Sequence, residues 1–118
     1  MNGRLHQEFR DRTKRFASSI IRLFVVLPKR EEVPVLGRQM LRSGTSVAAH
    51  VREANRARSS VDFIAKLGGA CQEADETQLW LELLREDCSI NAESTQPLEQ
   101  EASELIAIMT TMINRSRD

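Results

Sequence analysis

Two pairs of ionisable residues stand at helical spacing near the middle of the chain. Glu73 and Glu76 are three residues apart, and His50 precedes Glu53 at the same spacing. Carboxylate and imidazole pairs of this kind build di-iron sites in helical bundles, but those sites require two Glu-x-x-His pairs and two further glutamates. The sequence contains no Glu-x-x-His. We therefore predict that the chain holds neither a metal nor another cofactor.

The same region carries a larger polar set whose members would face one another if two helices pack side by side. Charges that pack between helices have to be paired. We interpret the set as an interhelical polar network that fixes helix register, and a small-ligand pocket is the alternative interpretation. The set comprises Arg42, Glu53, Glu73, Glu76 and Thr77.

Catalytic chemistry finds little support in the residue types. The histidines are His6, which lies in a terminus expected to fray, and His50. No G-x-S-x-G accompanies His50, and phosphate-binding loops and dinucleotide fingerprints are absent from the sequence. We predict that the protein is not an enzyme.

The charges are distributed unevenly. Residues 1–60 contain thirteen Arg and Lys against five Asp and Glu, whereas residues 61–118 contain four against twelve. Basic helices could simply pack beside acidic ones or pair across subunits, or a basic face could bind RNA or DNA. No aromatic residues are interleaved to stack bases, so such binding would be to the backbone and sensitive to salt. The candidate residues are Arg10, Arg12, Lys14, Arg15, Arg22, Arg38, Arg52, Arg56 and Arg58.

Apolar spacing predicts the elements that must position these side chains. Apolar residues recur in steps of three and four in four segments, which are interrupted by Pro28, by the turn near residue 57 and by the segment before Pro97. We predict helices over 8–27, 34–56, 60–88 and 97–115 in a single domain, residues 1–118. The expected fold is all-α, an antiparallel up-down four-helix bundle. A helical hairpin that dimerises is the alternative.

Glycines inside these helices weaken them locally. Gly44 and the pair Gly68 and Gly69 lie at similar distances from the turn between the second and third helices. The spacing predicts that they allow these two helices to pack closely. Thr45 and Ser46 beside Gly44 are expected to bond their hydroxyls to carbonyls one turn back.

Several large apolar residues fall outside the predicted core stripes. They are Ile21, Phe24, Leu41, Trp80 and Leu83. Left in water they would form apolar patches that monomers rarely tolerate, so we predict self-association with Trp80 and Leu83 at the interface. Unlike charged faces would join head-to-tail into a ring.

The sequence also bears on the cellular compartment. No signal peptide is recognisable, and the longest apolar stretch, Leu23 to Leu27, is too short to span a membrane. Cys71 and Cys88 are expected to remain reduced. We expect a cytoplasmic protein with no membrane partner.

Two motifs resemble a known family. LRSGTSVAAHVREA and DFIAKLGGACQEADETQLWLELL are similar to the four-helix-bundle proteins encoded by intervening sequences in bacterial 23S rRNA genes, a superfamily that includes accessory proteins of diversity-generating retroelements. The resemblance covers about residues 9–112. It departs from the family pattern at His50, Val51, Leu79 and Gln72.

The resemblance implies a non-enzymatic bacterial protein that assembles as a cyclic homo-oligomer, with the homopentamer as the expected form. Retroelement relatives bind nucleic acid and a reverse transcriptase. The role of the rRNA-encoded relatives is poorly defined. A scaffold or binding protein is therefore the first functional hypothesis, and a nucleic-acid-binding accessory factor is the alternative.

Overall fold

The chain forms four α-helices that pack in sequence order. The computed structural model describes residues 3–117. The helices are α1 (Gln7–Val26), α2 (Val33–Asn55), α3 (Ser60–Asp87) and α4 (Ala92–Ser116). Each helix packs on the next, and α1 also contacts α4, which closes the bundle. All regular secondary structure of the described range is helical, so the predicted all-α four-helix bundle is confirmed.

The core runs along the inner faces of all four helices. Every residue of the stripe predicted for α3, from Phe63 through Leu67 and Leu81 to Cys88, is buried. Ile20 of α1, Met40 of α2, and Leu105 and Met109 of α4 belong to the same buried core. Burial of these side chains against one another is the main force that holds the helices together.

Local signals set most of the helix ends. Leu27 is extended before Pro28, as a proline requires of the preceding residue, and α1 ends there. Pro34 lies in the first turn of α2, where its missing N–H costs nothing. The Ser59 hydroxyl accepts a hydrogen bond of 3.1 Å from the Asp62 N–H and caps α3.

The start of α4 differs from the prediction. The helix begins at Ala92 rather than at residue 97, because the Asn91 side chain accepts a hydrogen bond of 2.8 Å from the Glu93 N–H and caps it there. Pro97 consequently lies inside the helix. Both Pro97 and Glu93 are exposed, so the carbonyl that loses its helical partner is on the solvent side.

Residues 3–6 form an ordered segment, which we call the N-terminal strap. The Arg4 N–H donates to the Asn55 carbonyl at 3.0 Å, and the Leu5 N–H donates to Asn55 Oδ1 at 2.9 Å. Leu5 is buried in the core. The expectation of a frayed terminus at His6 is therefore wrong: His6 is the N-cap of α1, directly after a docked strap.

No helix within residues 3–117 combines the length and apolar character needed to cross a membrane.

Candidate nucleic-acid interface

A groove of about 880 Å³ follows the seam between α1 and α2 at the end of the bundle where α1 begins. Four basic residues line it: Arg10 and Lys14 from α1, and Arg52 and Arg56 from α2. Two acidic residues, Asp11 and Glu53, also line it, so the groove has a basic excess.

The groove exists because α1 and α2 are in close contact only toward the opposite end of their seam, at Gly37 and Gly44. A Cβ placed on Gly37 would lie 3.0 Å from Leu27 Cδ1, and one on Gly44 would lie 2.9 Å from Ile20 Cγ1. The two helices are therefore in close contact at these glycines. Further along, Ala48 and Ala49 of α2 line the groove, and their small side chains leave space beside α1.

Seven of the nine basic side chains predicted for a nucleic-acid interface remain unpaired. All are exposed, and none makes a hydrogen bond or ion pair with any residue between 3 and 117; they are Lys14, Arg15, Arg22, Arg38, Arg52, Arg56 and Arg58. Ion pairs within the chain thus neutralise only some of the excess basic side chains in the first half of the sequence. Lys14, Arg52 and Arg56 join Arg10 in the groove, while Arg15, Arg22, Arg38 and Arg58 lie outside it.

Arg12 does not belong with this set. Its guanidinium donates two hydrogen bonds to Glu101 of α4, of 2.8 and 2.7 Å, and a third to Glu104 at 2.9 Å. The bond to Glu101 is the main cause that raises the pKa of Arg12 above its usual value. Arg12 is thus engaged in the α1–α4 contact, which leaves its guanidinium less available to nucleic acid than those of the unpaired residues.

One basic residue at this end was absent from the prediction. Arg4, in the N-terminal strap, lines a second cavity together with Arg10 and Arg56. Sequence spacing gave no sign of it, because the strap precedes the first helix and its position depends on a hydrogen bond to Asn55, about fifty residues further along the chain.

The predicted polar network lies between α2 and α3. Arg42 contacts Glu73 at 3.3 Å and Glu76 at 3.0 Å. The hydrogen bond that Arg42 donates to Glu73 is the main cause that raises the pKa of Arg42. The guanidinium is 54% exposed, so this ion pair contributes little to stability.

The other predicted members join the same network. His50 lies 3.4 Å from Glu53 and 3.9 Å from Glu73, and so connects the two carboxylates. Thr77 is fully buried and lies 2.7 Å from the Ser43 hydroxyl of α2. The structure thus brings all the predicted residues together along the seam between α2 and α3, and of these residues Glu53 alone lines one of the two cavities described.

The glycines pack differently from the prediction. Gly44 faces Ile20 of α1 rather than α3. A Cβ on Gly68 would meet nothing within 4 Å, so Gly68 permits no close approach. Only Gly69 contacts α2, because a Cβ there would lie 3.2 Å from the His50 ring. Gly44 and Gly68 lie at similar distances from the turn between α2 and α3. This spacing did not predict a contact, because Gly44 faces α1 and nothing lies within 4 Å of a Cβ on Gly68. Thr45 and Ser46 do donate to carbonyls one turn back, at 2.8 and 2.7 Å.

Trp80 and Leu83 are half-buried. Trp80 packs against the core, and its indole N–H is buried without a hydrogen-bond partner among the described residues. The neighbouring Leu79 is 46% exposed. An apolar surface thus continues from the core onto the outside of α3.

The two cysteine thiols are not activated as nucleophiles. Burial raises the pKa of the Cys71 and Cys88 thiols, which keeps them protonated at neutral pH. Within residues 3–117 no group of three or more His, Cys, Asp or Glu residues has the arrangement of a metal site.

Similarity to known proteins agrees with this architecture. Residues 6–111 match the family described as 23S rRNA-intervening sequence protein. The fold is similar to a crystal structure of a protein with unknown function from the S23 ribosomal protein family of Bacteroides thetaiotaomicron VPI-5482, with a TM-score of 0.83 and 37% sequence identity. That similarity covers 90% of this chain and 95% of the other. No curated protein matches the sequence. The matched range spans all four helices but the last few residues of α4, and the chain belongs to the 23S rRNA-intervening sequence protein family.

Proposed function

We propose that the protein is a non-catalytic binding module that assembles with copies of itself into a ring. The observation that carries this proposal is the apolar surface left exposed on α1 and α3. Ile21 and Val25 are four residues apart on α1 and are 45% and 65% exposed. Leu79 is followed four residues later by Leu83 on α3. Residues four apart share a helix face, and exposed apolar faces of this kind mark interaction surfaces.

A second copy of the chain is the partner that the charges favour. Most of the basic side chains without partners lie on α1, on α2 and in the loops that flank α2, with Arg115 on α4 as an exception. Most acidic side chains without an ion pair in the described range lie on the other two helices, among them Asp75 and Glu82 on α3 and Glu93 on α4. One copy can therefore present its basic side to the acidic side of the next. Contacts between unlike faces close into rings when the rotation fits, and the family resemblance favours a homopentamer.

Light scattering on a sizing column tests the assembly. We expect the mass of a pentamer built from the 13.4 kDa chain. Ile21→Lys and Leu79→Lys place a charge in the apolar surface and should shift the mass to that of the monomer. Val61→Lys is the matched control, since Val61 is 79% exposed at the start of α3, away from these residues. A monomer mass for the parent would refute self-assembly, and a dimer mass would refute the head-to-tail ring.

Nucleic-acid binding is a second candidate function, and the basic groove between α1 and α2 favours it. Unpaired arginines suit phosphate groups, and the described groove lining contains no aromatic residue, so contacts would be to the backbone. Such binding releases counterions and weakens steeply as salt rises.

Mobility-shift titrations with structured RNA and duplex DNA at two salt concentrations test this function. We expect affinity to fall with salt, and Arg52→Gln should lower the salt dependence by about one phosphate contact. Arg38→Gln removes an equally exposed α2 arginine outside the groove and should change affinity much less. Absence of binding at low salt would exclude the function.

A further inference from the structure

The second cavity, of about 560 Å³, adjoins the basic groove and shares Arg10, Asn55 and Arg56 with it. Its remaining lining comes from Gly3, Arg4 and Ala57. Three guanidinium groups therefore face this cavity, and the described lining contains no carboxylate. The groove, by contrast, contains Asp11 and Glu53 among its cations. Positive charge is therefore more concentrated in this cavity, where the N-terminal strap meets the end of α2, than in the groove.

These three arginines keep most of their hydrogen-bonding capacity. Arg4 is oriented by a bond of 2.9 Å from its Nε to the Ala57 carbonyl and lies 5.9 Å from the centre of the Phe63 ring. Arg10 makes only a long bond of 3.4 Å to Gln7, and its Nε is buried with no partner among the described residues. The Arg56 guanidinium makes no bond within residues 3–117.

A buried donor without an acceptor is unfavourable unless a ligand supplies one. Arg10 Nε is such a donor, and Arg10 lies between the groove and the cavity. An anion bound beside Arg10 would offer this donor an acceptor once the side chain turns toward the cavity, and it would neutralise neighbouring guanidinium groups at the same time.

We propose that this cavity binds a phosphate monoester at the end of a nucleic-acid strand whose backbone lies in the groove. The inference rests on the nucleic-acid-binding function proposed above. A phosphate monoester carries a charge of about −1.5 to −2 at neutral pH, whereas each phosphodiester carries a single negative charge. Three arginines without a carboxylate match the monoester better. The mixed charges of the groove suit the more weakly charged diester backbone.

Oligonucleotides of one sequence that carry a 5′-phosphate, a 3′-phosphate or neither test the assignment by fluorescence anisotropy. We expect one phosphorylated form to bind at least about tenfold more tightly than the unphosphorylated strand, since a charge-assisted contact is gained. Equal binding of all three would overturn the cavity assignment and leave nucleic-acid binding in place. Absence of binding by all three would overturn both.

Inorganic phosphate distinguishes a strand end from a free anion. If phosphate alone displaces the phosphorylated strand at a concentration equal to the strand's own dissociation constant, the cavity is a site for free phosphate and the strand-end assignment fails. We expect displacement only at far higher concentrations, because inorganic phosphate makes no contact with the groove.

Two arginine variants separate the cavity from the groove. Arg56→Gln should abolish the preference for the phosphorylated strand. Arg52→Gln, which alters the groove alone, should weaken binding of both strands and retain the preference. Both residues are exposed, and thermal melting of each variant checks that the fold is intact. Retention of the preference in folded Arg56→Gln would contradict the proposal.

Discussion

Gly44→Leu is expected to destabilise the bundle by about 3 kcal/mol or more, at the upper end of the range for overpacked cores. The residue is buried, and the first side-chain atom added to it would lie 2.9 Å from both Cγ1 and Cγ2 of Ile20. Ile20 is fully buried and branched at Cβ, so it cannot rotate away without disturbing the core. Urea denaturation measures the loss directly.

Gly44→Ala tests the same contact with the smallest side chain. At an open helix position alanine would stabilise by roughly 0.5–1 kcal/mol relative to glycine. Here we expect a net loss, and that loss should be smaller in an Ile20→Ala background, because alanine lacks the Cγ1 and Cγ2 atoms that the new Cβ would meet. Gly68→Ala is the matched control, because nothing lies within 4 Å of its added Cβ and we expect it to stabilise. If Gly44→Ala and Gly68→Ala stabilise equally, the proposed α1–α2 contact is wrong.

Asn55→Ala is expected to cost about 2–4 kcal/mol by releasing the N-terminal strap. The loss combines the buried Leu5 N–H that loses its acceptor, about 1–3 kcal/mol, with partial exposure of the Leu5 side chain, which is worth about 1.5–3 kcal/mol when fully buried. Hydrogen exchange at the Leu5 amide reports the release, and chemical denaturation reports the free energy of unfolding.

Two further variants show whether the loss acts through the strap. Asn55→Asp keeps a side-chain oxygen as the acceptor, so it should retain most of the protection of the Leu5 amide. Leu5→Ala should be destabilising alone but add little to Asn55→Ala, since both changes undo the same docking. Fully additive losses would mean that Asn55 stabilises the protein by another route.

The predictable part of this structure is the part governed by periodicity. Steps of three and four place Leu67, Leu81 and their neighbours on one face of α3 whatever their partners are, and that face is buried. The polar network was predictable for a similar reason, because Arg42 and Glu73 carry opposite charges on helices that adjoin in sequence.

The remaining features depend on rotation about helix axes or on contacts distant in sequence, and spacing reports neither. Gly44 turns toward α1 because α2 is oriented by its whole buried face, which the distance to the nearest turn does not reveal. The sequence did not distinguish Arg12 from its basic neighbours, because its partner Glu101 lies on α4, far away in sequence. Arg4 reaches the second cavity only through the docking of Leu5 on Asn55.

The bridge between Arg12 and Glu101 also bears on how the chain folds during synthesis. It joins positions separated by 89 residues, whereas successive helices meet across short turns. Loop-closure entropy favours the local hairpins first, so α1, α2 and α3 can pack while α4 is still within the ribosome. Until α4 emerges, the inner face that later contacts Leu105 and Met109 stays open to water. Until α4 covers this apolar face, the face can promote aggregation of the nascent chain. The Arg12–Glu101 contact forms when α4 packs, and it therefore marks the end of that stage.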